Sequence, residues 1–331
     1  MRRRVGILDL GGFAKFEVRG PGAAVFLDSL ITGRLPGQGR VALAYFCNEA
    51  GGVVSELTIT RLAEDRFYLC AAATAEHHDW DWMAARLPAD GGVEIENLTG
   101  GWATLVLAGA RAREVLAELT DADTSNDAFP WLSAREITVR FAPVLALRVN
   151  YVGELGWELH LPMEHQVAVY DALMAAGEAH GITDFGMYAM DSLRLEKGYG
   201  AWKLEFTTEY TALEAGLERF CRLDKQDFIG RAALLRQQQA GLPRRLVCLT
   251  LSPGDADAAT NAPVFREGRA VGVVTSGGYG HAIEASIALA YIESRALGDG
   301  GAFEVEVLGQ RRPATLQPAA PYDPKNARLK A

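Results

Sequence analysis

Apolar and polar positions alternate along Phe13-Ala-Lys-Phe-Glu-Val-Arg19, which predicts a strand. Gly20-Pro-Gly22 breaks it, and residues 23–30 continue with helical spacing, Pro21 suiting the entry to the first turn. The same design returns as Ala103-Thr-Leu-Val-Leu-Ala108, then Gly109, then a helical stretch over 110–119, which suggests an internal duplication. Between the two copies the pattern predicts strands over 40–47, 53–60 and 66–71 and a helix over 76–87 with Trp80 and Met83 on one side. A further alternating segment, 144–150, enters Tyr151-Val-Gly-Glu-Leu-Gly-Trp-Glu158 and leaves as Trp157-Glu-Leu-His-Leu161; Gly153 and Gly156 mark a sharp bend between two strands.

After the bend, Pro162 opens an amphipathic helix on which Val167, Tyr170, Leu173 and Met174 share a face, with Gly177 near its end. Helices over 187–197 and 231–239 follow. From residue 245 the pattern changes to strands alone, over 246–251, 270–276, 287–292 and 303–308, separated at short intervals by glycine and proline, as in a small barrel or sandwich. The chain therefore divides into a mixed α/β body over residues 1–242 and an all-β domain over 245–331, an α+β protein in class.

At 331 residues the chain exceeds one ordinary core, consistent with more than one domain. The net charge of −9 argues against a nucleic-acid surface. Four scattered cysteines form neither a disulfide framework nor a zinc motif, and the six histidines show no metal spacing, so no metal is expected. No apolar run reaches membrane-spanning length, and the Met1-Arg-Arg-Arg4 start precedes too short an apolar stretch for a signal peptide; no membrane association is expected, and the cytosol is the default location. Gly37-Gln-Gly39-Arg-Val-Ala42 fits a dinucleotide fingerprint in letters, but Pro36 precedes it and a strand follows, so it reads as a loop. No flavin fingerprint occurs. By residue type alone, the Tyr151–Glu158 bend is a hairpin with solvated polar groups.

Seven stretches taken together change that reading. They are Asn48-Glu-Ala-Gly-Gly-Val-Val-Ser-Glu-Leu-Thr58, the Tyr151 to Glu158 stretch, Met190-Asp-Ser-Leu-Arg-Leu-Glu-Lys-Gly198, Leu213-Glu-Ala-Gly-Leu217, Lys225-Gln-Asp-Phe-Ile-Gly230, Val274-Thr-Ser-Gly-Gly-Tyr-Gly280 and Tyr322-Asp-Pro324. In this order and spacing the chain resembles the aminomethyltransferase (T-protein) family of the glycine cleavage system. Within it, the chain most resembles the folate-binding domain at the C-terminus of dimethylglycine and sarcosine dehydrogenases.

The resemblance implies a T-protein-like multidomain fold: a folate-binding α/β body of two intertwined subdomains with ferredoxin-like parts, plus a C-terminal β-barrel, around a hole that holds tetrahydrofolate. It places the pteridine-recognising glutamate on Glu158 and the motif tyrosine on Tyr151. It places the catalytic carboxylate on Glu56, with Thr60 and Arg194 among the cofactor-binding residues. The implied reaction captures formaldehyde or a methylene-iminium, produced by oxidation of an N-methyl amine, as 5,10-methylenetetrahydrofolate. The flavin would reside in a partner demethylase or dehydrogenase subunit, and the donor would be a small methyl-amine. A stand-alone methyl- or aminomethyltransferase and a non-catalytic folate-binding scaffold remain the alternatives.

Residue chemistry agrees with these roles. A pterin offers N3–H and a 2-amino group side by side, and one carboxylate accepts both. Alternation puts Glu56, Thr58 and Thr60 on one strand face, with Leu57 and Ile59 on the other. A carboxylate there can accept the proton lost from folate N5. At the site the chain departs from the family in two ways. Glu56 replaces an aspartate, setting the carboxylate about 1 Å further out. Tyr188 or Met190 stands where arginine is usual. Leu195-Glu-Lys-Gly-Tyr-Gly200 lacks the cysteine of the family's iron–sulfur-assembly relatives, which counts against an accessory role of that kind. The first strand of the family falls near the start of the chain, so apolar surface around Val5-Gly-Ile-Leu8 is expected to stay uncovered unless a partner supplies the cover.

Overall fold

The computed structural model describes residues 1–298 and 302–331 and divides into two units. The first comprises Met1–Ala44, Glu56–Gly186 and Asn326–Ala331; the second comprises Tyr45–Ser55 and Met187–Lys325.

Two sheets build the first unit. One has six strands, in the order Thr183–Asp184, Gly6–Asp9, Trp102–Ala108, Gly156–Pro162, Ala142–Leu147 and Ala134–Val139. The other has five: Val41–Cys47, Val53–Ala63, Arg66–Ala71, Ala14–Arg19 and Glu94–Asn97. The six-stranded sheet buries Leu105, Leu107, Trp157, Leu159 and Leu161 on one face, against Val169 and Leu173 of the helix Gln166–Gly177. Its other face packs Leu145 and Leu147 with Tyr68 and Cys70 of the five-stranded sheet.

The paired strand–Gly–helix design is present twice, as Ala14–Arg19 with Ala23–Leu30 and as Trp102–Ala108 with Ala112–Ala117. Gly20 and Gly109 both take positive φ, 115° and 132°, and a Cβ at either would strike a backbone carbonyl, of Gly92 and of Arg4 respectively. The glycine in each copy is therefore a steric requirement of the crossing and not a spacer.

Two expectations change. The strand Gly6–Asp9 is parallel to Thr183–Asp184 and antiparallel to Trp102–Ala108, and Val5 and Ile7 are fully buried. The apolar start of the chain is thus covered by its own unit, not left for a partner. On the helix Gln166–Gly177 the buried positions are Val169, Leu173 and Gly177, with Tyr170 and Met174 packed beside them, while Val167 is 70% exposed. The apolar stripe runs to one side of the one read from the sequence, and the helix begins at Gln166, after a 3₁₀ turn over Met163–His165, and not at Pro162.

In the second unit six strands close into a barrel, in the order Arg244–Leu251, Ala285–Glu293, Arg269–Gly280, Pro263–Arg266, Phe303–Val307 and Gln310–Gln317. The helix Met187–Glu196 packs on it through Leu195, which meets Ile287 and Leu289. Among the described residues no helix is long and apolar enough to cross a membrane.

Candidate functional site

The strand Gly156–Pro162 sorts its side chains by alternation. Trp157, Leu159 and Leu161 enter the core, so Glu158 and His160 must project from the opposite face. Register sets their neighbours: Glu158 lies opposite Val106 and Leu147, and His160 opposite Thr104 and Leu145. The facing sheet contributes Tyr68. His160 is fully buried, with Nδ1 2.9 Å from the Tyr68 hydroxyl and 3.0 Å from Thr104 Oγ1, and Nε2 3.4 Å from Glu158 Oε2. Burial holds the His160 pKa below its ordinary value, with Glu158 opposing the shift, so the imidazole is neutral. The Glu158 side chain is only 14% exposed, and among the described residues the imidazole is its one hydrogen-bond partner.

Thr60 pairs in register with Tyr68 and is fully buried. Its Oγ1 has no hydrogen-bond partner among the described residues. An orphaned buried hydroxyl costs about 1–3 kcal/mol, so a polar ligand group at this position would offset a standing penalty. Two pairs along, on the same face, Thr58 lies opposite Cys70, and Cys70 opposite Lys15 on the next strand. Lys15 is fully buried, and its Nζ donates to the Gly11 and Phe13 carbonyls at 2.8 Å each. Burial lowers its pKa. Glu56 is half-buried on the same strand as Thr60, about 13 Å before it at the usual strand rise.

The bend itself is a loop over residues 148–155, longer than a tight hairpin. Asn150 organises it: its Oδ1 accepts from the Val152 and Gly153 amides, and its Nδ2 donates to the Glu154 carbonyl. Gly156 is forced, since a Cβ there would meet the Leu107 carbonyl at 2.6 Å. Tyr151 is half-buried in the middle of this loop. The two carboxylates of the stretch have different employments. Glu154 is fully buried in ion pairs with Arg2 (3.1 Å) and Arg328 (3.0 Å), whereas Glu158 keeps its Oε1 without a protein partner among the described residues.

Arg194 belongs to the second unit, on the helix Met187–Glu196, and its side chain is 1% exposed. All three guanidinium nitrogens are engaged by protein groups: Nε by Asp191 (2.7 Å), Nη1 by the Tyr199 carbonyl and Glu205 (3.0 and 3.1 Å), and Nη2 by Ser276 (2.8 Å). Glu205 also accepts from Thr275, Ser276 and the Ala201 amide. Arg194 is the centre of a buried polar cluster in that unit.

The sequence reading did not single out His160, Tyr68 or Thr104. The two-residue spacing of Glu158 and His160 within an alternating strand carried a signal for the first. Nothing local marks Tyr68, which reaches the site from another sheet. Among the described residues no cluster of histidine, cysteine, aspartate and glutamate could hold a metal ion.

The chain matches the family model described as GCVT N-terminal domain over residues 1–225, and the one described as Glycine cleavage T-protein C-terminal barrel domain over 244–323. It is 40% identical over 331 residues to the mitochondrial dimethylglycine dehydrogenase of Homo sapiens, covering 99% of this chain but 38% of that protein. It is 31% identical over 327 residues to an aminomethyltransferase of Desulfitobacterium hafniense, covering 97% of this chain and 88% of the relative. Among solved structures it is similar to the glycine cleavage system aminomethyltransferase T from Bartonella henselae, with a TM-score of 0.86 at 28% identity over 97% of this chain and 86% of that one.

Proposed function

The chain belongs to the glycine cleavage T-protein (aminomethyltransferase) family, and from that premise we propose that it binds tetrahydrofolate in its first unit and transfers a one-carbon unit to it. The observation that carries this reading is Glu158: a carboxylate almost out of water, steadied through Oε2 by a neutral imidazole, with Oε1 left without a protein donor among the described residues. A site of that kind suits a ligand that brings two parallel donors, as a pterin does with N3–H and its 2-amino group. The orphaned Thr60 hydroxyl fits the same ligand, which is rich in polar ring atoms.

Tetrahydrofolate supplies, when bound, the N5 amine that takes up the carbon. The chain's own residues do the rest. Glu158 accepts the pterin donors, Thr60 takes a ring polar atom, and Tyr151 lines the approach. Glu56 accepts the proton released from N5. Within the second unit, Arg194 fixes the helix Met187–Glu196 through Asp191 and Glu205.

The donor we propose is formaldehyde or a methylene-iminium from a methyl-amine, yielding 5,10-methylenetetrahydrofolate, with the oxidation performed by a flavoprotein partner. The likeness to dimethylglycine dehydrogenase over 38% of that protein supports the partner. A stand-alone aminomethyltransferase is the second reading, supported by the relative matched over 88% of its length. Native mass spectrometry of the chain, expressed alone and with flavoproteins from its genomic neighbourhood, separates the two. A monomer that turns over a methyl donor unaided removes the partner.

Folate recognition is tested by Glu158→Gln, which keeps the shape and turns an acceptor towards the ligand's donors into a donor. Calorimetry with 5-formyltetrahydrofolate is expected to show a loss of about 1.5–3 kcal/mol. Unchanged affinity sinks the assignment.

A further inference from the structure

Glutamate has three rotatable side-chain bonds, so a carboxylate meant to meet two parallel donors must be held in one plane before the ligand arrives, or the ligand meets the ordering cost. Among the described residues, the one hydrogen bond to Glu158 that could do this comes from His160, whose position is itself over-determined. It is fully buried, its ring meets Tyr68 edge-on at 5.2 Å, and its Nδ1 lies within hydrogen-bond distance of the Tyr68 and Thr104 hydroxyls. A carboxylate oxygen only accepts, so the contact with Oε2 requires the proton on Nε2. Nδ1 is then an acceptor, which one of the two hydroxyls satisfies by donating. The carboxylate sets the tautomer, the hydroxyls behind the ring accommodate it, and the donor is aimed forwards.

We propose that His160 is a positioning residue for Glu158: Nε2–H occupies one lone pair of Oε2 and fixes the carboxylate plane, leaving Oε1 and the second Oε2 lone pair for the pterin donors. This rests on the reading of Glu158 as the pterin-recognising carboxylate. His160 touches neither the ligand nor the transferred carbon. It acts through Glu158, and Tyr68 and Thr104 act through it.

The test is a double-mutant cycle on the whole chain, read by calorimetry with 5-formyltetrahydrofolate. His160→Met fills the space without a donor and is expected to weaken binding about five- to tenfold, modest because the contact is long. In the Glu158→Gln background the same change is expected to matter less than about twofold, since the group it acts through is gone. His160→Gln, whose amide nitrogen can stand near the Nε2 position, is expected to restore binding to within about threefold of wild type. Equal losses in both backgrounds would show a general packing effect and overturn the proposal, as would no loss beside an intact Glu158. Those outcomes leave folate recognition standing provided Glu158→Gln alone weakens binding; if it does not, the recognition reading itself has failed. Should His160→Met not fold, ¹⁵N spectra of the imidazole in the wild-type chain still decide. The Nε2–H tautomer is expected, and the Nδ1–H tautomer refutes the arrangement.

Discussion

Replacing Glu205 by glutamine tests whether the Arg194 cluster holds the second unit together. Both side chains of the pair are out of water, at 1% and 0% exposure, and the Nη1–Oε2 distance is 3.1 Å. Glutamine keeps the shape and removes the charge. Its carbonyl can still accept the Ala201 amide, and Thr275 and Ser276 can rotate their hydroxyls to accept from the new amide. Arg194 cannot adapt, because it has only donors. Its remaining counter-charge is Asp191, which is 49% exposed and screened. Removing one partner of a buried pair costs about 3–5 kcal/mol, and the residual Asp191 contact puts this case near the lower end, ~3 kcal/mol. For a unit of this size that is roughly 6–12 °C in melting temperature. Differential scanning calorimetry is the assay, since two units need not melt together. The companion variant Arg194→Met with Glu205→Leu leaves no buried charge and is expected to recover part of the loss. A shift under about 2 °C for Glu205→Gln would refute the reasoning, because the pair would then be solvated or dispensable.

Glu56→Gln is expected to slow formation of methylenetetrahydrofolate by about 10²–10⁴-fold while folate affinity stays close to wild type, a loss confined to the transition state; equal rates would favour the scaffold reading. Stability should fall on acidification below about pH 6.5, the ordinary histidine value. Buried His160, facing Glu158, Tyr68 and Thr104 with Lys15 nearby, binds its proton less readily folded than unfolded, so protons favour the unfolded chain there. Thermal melts between pH 7 and pH 5 should show a smaller decline in His160→Gln, and identical slopes would remove His160 as the source.

Much of the scaffold was legible because it is written locally. Arg66-Phe-Tyr-Leu-Cys-Ala71, a short apolar run, occupies the strand predicted for it, and the two strand–glycine–helix copies follow from apolar spacing plus a required glycine. The strands that went unread owe their state to neighbours. Pro263–Arg266 and Gln310–Gln317 carry prolines and charges that mask them, and each is paired through a two-residue hairpin, with Arg269–Gly280 and Phe303–Val307 respectively. Gly6–Asp9, expected near the start of the chain only from the family resemblance, is four residues long and is held between two strands distant in sequence. The same divide runs through the candidate site. Glu154 and Glu158 stand four residues apart in one motif, and no local pattern says which is spent. Arg2 and Arg328, from far along the chain, claim the first. Tyr68 reaches His160 only once two sheets face each other.

The short excursion Tyr45–Ser55 has a consequence for how the protein is made. These residues sit early in the chain but belong to the second unit, where Val53 donates to the Thr207 carbonyl, Ala212 to that of Gly51, and Trp202 Nε1 to that of Val54. A ribosome adds roughly 5–20 residues per second, so Tyr45, Phe46 and Cys47, all buried in the finished protein, emerge on the order of ten seconds before those partners exist. During that interval the nascent chain carries an apolar segment whose later partners have not been made. It is a natural handle for a chaperone and the first place where expression at high temperature would leave product in inclusion bodies. It also means that no single cut at residue 186 releases two whole units: the amino-terminal fragment would keep a piece that belongs to the other.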